Sequence, residues 1–155
     1  MTHRKVLVAL TAALVLALSS CYKNKVYNNY HHTQIAGWEK NDTLYFDIPP
    51  LTRPGTYAMR LGLRTNNAYP FMGLSLVIES TIYPGKAERS DTLNCSLVDK
   101  NGNVKGQGVN FYQFNFQVTT LQLHSGDSLH ITVRHDMKRE ILPGISDVGI
   151  ELTRQ

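Results

Sequence analysis

Apolar and polar residues alternate along most of the chain after residue 43, and the period is two rather than 3.6. Alternation of this kind predicts strands that bury one face and expose the other. Turn residues such as Pro49-Pro50, Asn101-Gly102 and Pro143-Gly144 separate the alternating runs. The predicted strands are centred on residues 44–48, 57–63, 74–78, 92–98, 112–118, 129–133 and 148–152.

These runs predict an all-β domain with about seven or eight short strands and no long helix. Inward alternation in so many short strands is typical of a single antiparallel β-sandwich, Ig-like or jelly-roll in style. We expect this domain to cover residues 40–155. Residues 21–39 are less regular and are predicted to be a linker, and no repeat or second domain is visible.

The N-terminus carries a different pattern. Arg4 and Lys5 precede residues 6–18, which are all apolar except Thr11. A membrane span needs about 20 residues, so this stretch is typical of a secretory signal. It ends in Leu18-Ser19-Ser20-Cys21, which resembles the bacterial lipobox, whose cysteine thiol accepts diacylglycerol. We therefore predict that residues 1–20 are a lipoprotein signal peptide, with an ordinary secretory signal and a chance cysteine as the alternative.

The residues around the predicted cleavage site suggest where the lipoprotein resides. Two or more acyl chains on Cys21 would anchor the protein stably in a bilayer. Tyr22 stands where an Asp would resemble the inner-membrane retention signal of many Gram-negative bacteria. Residues 23–25 lack the acidic cluster that directs lipoproteins of Bacteroidetes to the cell surface. The expectation is an outer-membrane lipoprotein that faces the periplasm.

Composition limits the function classes further. Of 155 residues, 42% are apolar and 18% are charged, which excludes a disordered chain, a coiled coil and a polytopic membrane protein. Removing Arg4 and Lys5 lowers the formal net charge from +4 to +2, and no basic run suggests nucleic-acid binding. Once Cys21 is acylated only Cys95 remains, within an apolar alternation, where a buried small hydrophobic side chain is expected.

No constellation of residues predicts catalysis or a cofactor. Asp99-Lys100-Asn101-Gly102-Asn103 superficially resembles a calcium loop, but its glycine is at position 4 rather than position 6. The histidines lack the spacing of a zinc site, and Ser75 does not stand in a nucleophile elbow. We predict a protein that is not an enzyme and that holds no metal or cofactor.

Three features could instead bind a partner. Arg60 and Arg64 share one strand face, where they could meet an acidic partner, pair with Glu79 of the next strand or be solvated. Lys138 and Arg139 stand beside the Pro-Gly turn of the stretch 137–150, a loop that could contact an envelope protein. The aromatic residues that could form a glycan-binding platform are Trp38, Tyr69, Phe71 and Tyr112.

The order of several segments resembles the GldH family of gliding-motility lipoproteins from Bacteroidetes. The segments are the lipobox Cys21, Val26-Tyr27, Trp38, Asp42–Phe46, Tyr57…Leu63-Arg64, Tyr69-Pro70-Phe71, Asp91-Thr92-Leu93, Asp99…Gly102, Gly106-Gln107-Gly108 and the tail from Met137-Lys138 to Ile150. The tail, with Leu142-Pro143-Gly144-Ile145, is the most distinctive of them.

The resemblance implies an envelope lipoprotein associated with the gliding machinery, which in this phylum is linked to the type IX secretion system. The family also occurs in non-gliding Bacteroidetes, so a role in envelope assembly without motility is compatible with the resemblance as well. The resemblance supplies no reaction and no catalytic residues. A carbohydrate- or peptidoglycan-binding sandwich is the alternative function.

Overall fold

The computed structural model describes residues 24–155, and every regular element in this part of the chain is a strand. Eight strands have five residues or more, and three have only two residues. The strands are β1 (Lys25–His32), β2 (Trp38–Glu39), β3 (Leu44–Ile48), β4 (Gly55–Asn66), β5 (Gly73–Tyr83), β6 (Ala87–Ser96), β7 (Gln107–Gly108), β8 (Phe111–Leu123), β9 (Ser128–His135), β10 (Ile141–Leu142) and β11 (Ile145–Arg154).

Nine of the strands form two antiparallel sheets, with the order β1-β11-β4-β8-β7 in the larger and β3-β9-β5-β6 in the smaller, and β2 pairs with β10 in a separate two-stranded sheet. Among the eight long strands the first pairs with the last, the second with the seventh, the third with the sixth and the fourth with the fifth. This nested pairing is the jelly-roll arrangement. The expectation of an all-β sandwich is confirmed, and the strand order selects the jelly roll over the Ig-like variant.

The core fills the space between the two sheets with the inward residues of each alternating run. The larger sheet contributes Met59, Leu61 and Ile150, and the smaller sheet contributes Leu76 and Ile131. All five side chains are completely buried. All seven predicted strands are present. In β8, however, the alternation predicted to continue through Val118 is interrupted by a bulge beside Arg60, after which Thr119, Leu121 and Leu123 face inward.

The prediction that residues 21–39 are a linker is wrong for most of that segment. Residues 25–32 form β1, which pairs with β11 along the edge of the larger sheet, and Trp38 is completely buried. The alternation is hidden in β1 because the positions opposite the buried residues of β11 are Tyr27, Asn29 and His31 rather than aliphatic residues, and Asn29 is exposed at the sheet edge. The sandwich therefore begins at Lys25. Residues 1–23, with the predicted signal peptide and Cys21, lie outside the described residues.

The strands run along the long axis of the sandwich and define two ends. We call one end the anchor end because it adjoins the predicted acylation site at Cys21. It contains Asn24, where β1 starts, Arg154, where β11 finishes, and the connections 49–54, 84–86 and 124–127. The far end contains the connections 33–43, 67–72, 97–110 and 136–144. Strand β1 alone spans roughly 25 Å between them, at about 3.3 Å per residue.

The sheet edges differ in how they are protected from pairing with other chains. Strand β6 carries Glu88, Arg89 and Asp91, and β3 is short and followed by Pro49-Pro50. Strand β1 has Lys25 and a bulge. In contrast β8 has no charged residue and no proline, and β7 covers only its positions 112 and 113. Of the four edges in the described residues, β8 has the fewest of these protective features.

Burial along β8 gives a test of the core. Phe114 is 5% exposed and stacks on Phe116 with ring centroids 6.0 Å apart. We expect Phe114→Ala to lower the free energy of unfolding by about 3–5 kcal/mol, measured by urea denaturation, because it leaves a cavity. Phe111→Ala is the matched control, since Phe111 is 67% exposed on the same strand. Equal effects of the two substitutions would contradict the described burial.

Candidate functional site

Trp38 organises the far end of the sandwich. Its indole Nε1 donates a hydrogen bond to the Asp42 carbonyl oxygen at 2.7 Å, and its ring meets the ring of His135 edge-on at 5.2 Å. The backbone of Trp38 pairs with Leu142, so the connection 33–43 lies against the connection 136–144. Lys40 strengthens the same contact by donating from Nζ to the Met137 carbonyl oxygen at 2.9 Å.

The turn at Pro143-Gly144 is packed against the Tyr69 loop. Gly144 has a φ of +81°, which favours glycine, and a Cβ atom there would lie 2.2 Å from the backbone nitrogen of Tyr69. The Gly144 carbonyl oxygen accepts a hydrogen bond from the backbone of Asn66 at 2.8 Å. Tyr69 in turn donates from its hydroxyl to the Gly73 carbonyl oxygen at 2.8 Å and contacts Phe71. The turn is therefore a fixed part of the far end.

The far end also exposes apolar side chains. Six of the nine large hydrophobic residues that are exposed in the described chain lie here: Ile35, Met72, Val104, Val109, Phe111 and Ile141. Two depressions adjoin them, of about 590 Å³ and 210 Å³, and both are lined by Phe71 and Val98. We call these six residues with Phe71 and Val98 the far-end patch. Its concentration at one end distinguishes it from the scattered apolar residues of an ordinary surface.

Lys138 and Arg139 lie at the border of this end, as the sequence suggested, and both are exposed. They stand in the connection between β9 and β10 beside Glu140, which is also exposed. Neither cation pairs with a carboxylate among the described residues. Their charges are thus available to a partner without breaking an internal ion pair.

Arg60 and Arg64 lie on the outer face of the larger sheet. Arg64 donates from Nε to Gln113 Oε1 at 2.8 Å, and Arg60 donates from Nε to Gln117 Oε1 at 3.4 Å. The alternative pairing with Glu79 is wrong, because β4 and β5 belong to different sheets although they are consecutive in sequence. The structure does not bring these arginines together with Lys138 and Arg139.

Tyr30 is a feature of the same face that sequence reasoning missed. Its ring lies across two glycines, since a Cβ atom at Gly62 or Gly149 would lie 2.0 Å or 2.6 Å from tyrosine atoms. The Arg64 guanidinium covers the ring at 4.2 Å, and Gln113 donates from Nε2 to the tyrosine hydroxyl at 3.0 Å. The signal for this ring in the sequence is the pair Gly62 and Gly149, which leaves room for a large side chain. The pair is recognisable only once β4 is known to pair with β11.

The four aromatic residues considered for a glycan platform do not form an exposed surface. Trp38 is completely buried, and Tyr69, Phe71 and Tyr112 are half-buried and pack against the core. The rings that pack together are Tyr69 and Phe71, edge-on at 5.7 Å. This arrangement stabilises the far end and leaves no flat stack of rings for a sugar.

The titratable groups show no catalytic arrangement in the described residues. Cys95 is 2% exposed, and burial raises the pKa of its thiol to about 12, so it is held as a neutral thiol. No group of three or more His, Cys, Asp or Glu residues in residues 24–155 could hold a metal ion. In the same part of the chain, no helix has the length and apolarity to cross a membrane.

Comparison with known proteins adds sequence relatives. A family model described as GldH lipoprotein matches residues 25–152. The gliding motility lipoprotein GldH of Flavobacterium johnsoniae is 29% identical over 155 residues, covering 96% of this chain and 95% of the relative. A GldH homolog of Christiangramia forsetii is 24% identical, covering 90% of each chain. Among solved structures, a GH115 4-O-methyl-alpha-glucuronidase gives a TM-score of 0.46 at 10% identity, over 88% of this chain and 18% of the enzyme.

His135 gives the far end a predictable pH dependence. The side chain is completely buried, and burial lowers its pKa below the ordinary value of 6.5. The neutral form is favoured in the folded state, so this contribution to stability is present above about pH 6.5 and is lost as the pH falls below it. We expect the unfolding free energy of the wild type to fall more steeply between pH 7 and pH 5 than that of His135→Leu, as measured by urea denaturation. Parallel pH profiles would contradict this assignment.

Proposed function

This chain belongs to the GldH lipoprotein family, and we propose that it is a non-enzymatic, lipid-anchored component of the cell envelope that works with the gliding-motility and type IX secretion machinery or in envelope assembly. One observation carries the proposal. The segments on which the family resemblance rests gather mainly at the far end, opposite Asn24 and the predicted anchor. They include Trp38, Tyr69-Pro70-Phe71, Asp99…Gly102, Gly106-Gln107-Gly108, Met137-Lys138 and Leu142-Pro143-Gly144.

The position of Asn24 supports an anchor at Cys21. Asn24 accepts a backbone hydrogen bond from Arg154 at 2.8 Å, which ties the start of the sandwich to the anchor end. Only three peptide units separate it from Cys21, so the acylated residue lies within about 10 Å of the folded domain. An anchor at this point holds the domain close to the membrane with the far end pointing away. In keeping with Tyr22 and the lack of acidic residues at 23–25, we place the protein in the outer membrane, facing the periplasm.

The far end is suited to a protein partner rather than to a small substrate. The far-end patch combines exposed apolar side chains with a fixed backbone, and Lys138 and Arg139 supply unpaired positive charge at its border. Apolar centres with a charged rim are typical of protein interfaces. We propose that an envelope protein with acidic groups binds here. Arg60 and Arg64 contribute less, because Arg64 is already engaged by Tyr30 and Gln113.

The anchor can be tested directly. We expect wild-type protein, but not Cys21→Ala, to incorporate a palmitate analogue in living cells, because the thiol and the amine freed by cleavage are the acceptors. Membrane fractionation should place the wild type with the outer membrane and leave the variant uncleaved or unanchored. Cys95→Ala is the matched control and should label like the wild type. Equal label in wild type and Cys21→Ala would rule out the lipobox assignment.

The partner contact can be tested by charge reversal. We expect Lys138→Glu with Arg139→Glu to abolish crosslinking to the envelope partner in living cells, while the melting temperature stays nearly unchanged because both side chains are exposed. The loss of binding should be larger at low salt if long-range steering contributes.

The matched control for this charge reversal is Lys86→Glu with Arg134→Glu, which makes the same charge change in the 83–87 turn and on the outer face of the smaller sheet. It should leave crosslinking intact. Undiminished crosslinking in the Lys138 and Arg139 variant would remove the support for recognition at the far end and leave this loop with a purely structural role.

A further inference from the structure

The anchor end contains a depression of about 370 Å³ that the proposed partner contact does not use. It is bounded by Asn24 and Val26 at the start of β1, by the loop 49–54, by Tyr57 and by Arg154. Its lining has two arginines, Arg53 and Arg154, and no acidic residue. It is therefore a concave site of positive charge.

The backbone around the depression is held in place from several sides. The Tyr57 hydroxyl donates to the Arg53 carbonyl oxygen at 2.6 Å, and Tyr57 is only 1% exposed. Leu51 exchanges two backbone hydrogen bonds with the 124–127 turn, at 2.8 Å with Asp127 and 2.7 Å with Gly126. The loop also contains Pro49-Pro50, whose rings restrict φ. A site built on such a loop loses little conformational entropy when it binds.

The two guanidinium groups retain free donors. Arg154 donates a hydrogen bond from Nε to the Pro54 carbonyl oxygen at 3.1 Å. Its guanidinium lies over Gly55, where a Cβ atom would be 3.1 Å from the same nitrogen. The described contact of Arg53 is made by its backbone carbonyl rather than by its side chain. Neither arginine forms an ion pair in residues 24–155, whereas Glu151 pairs with Lys25 and Asp127 accepts a hydrogen bond from the backbone N–H of His124 at 2.7 Å. Paired forks of this kind suit the oxygens of a phosphate.

The distance between the depression and the predicted anchor indicates which phosphate-containing molecule would bind in the depression. Asn24 lines the depression and is three residues from Cys21, which places the depression within about 10 Å of the acylated residue. The headgroup layer on each side of a bilayer is about 5–7 Å thick. The depression therefore lies within reach of the phosphates of the leaflet that would hold the acyl chains.

We propose that this depression, with Arg53 and Arg154, binds the phosphate of a phospholipid headgroup and so fixes the orientation of the sandwich on the membrane. The proposal rests on the anchored function above, because the anchor brings the depression to the membrane. Both arginines donate to non-bridging phosphate oxygens, while Val26 and Leu51 border the apolar part of the same depression. The far end is thereby held away from the bilayer.

The test measures vesicle binding without the acyl chains. A chain of residues 22–155 contains every described strand, so it retains the sandwich, and it lacks Cys21. It is cosedimented with vesicles of phosphatidylcholine containing about one-third phosphatidylglycerol, at low and at physiological salt. We expect Arg53→Gln with Arg154→Gln to weaken binding by roughly tenfold or more, from the loss of two cations at the membrane surface.

The matched control is Lys100→Gln with Lys105→Gln, which makes the same charge change at two exposed positions of the far end and should bind like the wild type. Arg53→Gln alone keeps the Arg154 bond to Pro54, so it tests the site even if the double variant folds poorly; it should weaken binding by several-fold. Circular dichroism checks that each variant is folded.

Three results would overturn the proposal. Equal weakening by both double variants would show that only net charge attracts the protein to the surface. No binding by the wild type would show that the depression does not recognise headgroups. If inorganic phosphate at submillimolar concentration displaced the vesicles through the same arginines, the depression would be a site for free phosphate. None of these results touches the acylation of Cys21, which is read by palmitate labelling, so the two proposals fail separately.

Discussion

Strand β11 lies between β1 and β4 and hydrogen-bonds to both, so the last residues of the chain join the first strand to the rest of the larger sheet. Val148, Ile150 and Leu152 on its inward face are completely buried. Both ends of the sandwich depend on this strand, because Ile145 begins it beside the Pro143-Gly144 turn and Arg154 finishes it beside the anchor-end depression. Its pairings join residues far apart in sequence, which is expected to make folding slower than in folds with local contacts.

The same nested pairing explains which features could be predicted from the sequence. Strands that bury one face on an aliphatic core, such as β4 and β9, show clear alternation and were predicted correctly. Strand β1 was missed because its positions opposite the buried residues of β11 are Tyr27, Asn29 and His31, which carry no apolar periodicity. Partners across the nested pairs could not be inferred from order along the chain. For this reason Arg64 was considered with Glu79, whereas its actual neighbours are Tyr30 and Gln113.

The far end shows how local segments become one site only after folding. Trp38, Tyr69 and Met137 are widely separated in the sequence, and each belongs to a different segment of the family pattern. Their contacts depend on β2 pairing with β10 and on the close approach of Gly144 to Tyr69, neither of which leaves a local signal. The exposed charges of Lys138 and Arg139 were accessible to sequence reasoning because they flank a Pro-Gly turn, where side chains usually face solvent.

The uncharged edge of β8 can pair with other copies of the chain in different ways when the molecule is held on a membrane and when it is free in solution. In solution, two such edges can meet head to tail and extend both sheets through antiparallel pairing. Molecules that all stand on one membrane by the same end share a single polarity, and β8 runs from the far end towards the anchor end in every copy. Neighbours can then present these edges only as parallel strands, whose pairing is slightly less stable per residue. With the proposed anchor at Cys21, copies on one membrane therefore cannot pair these β8 edges in the antiparallel arrangement.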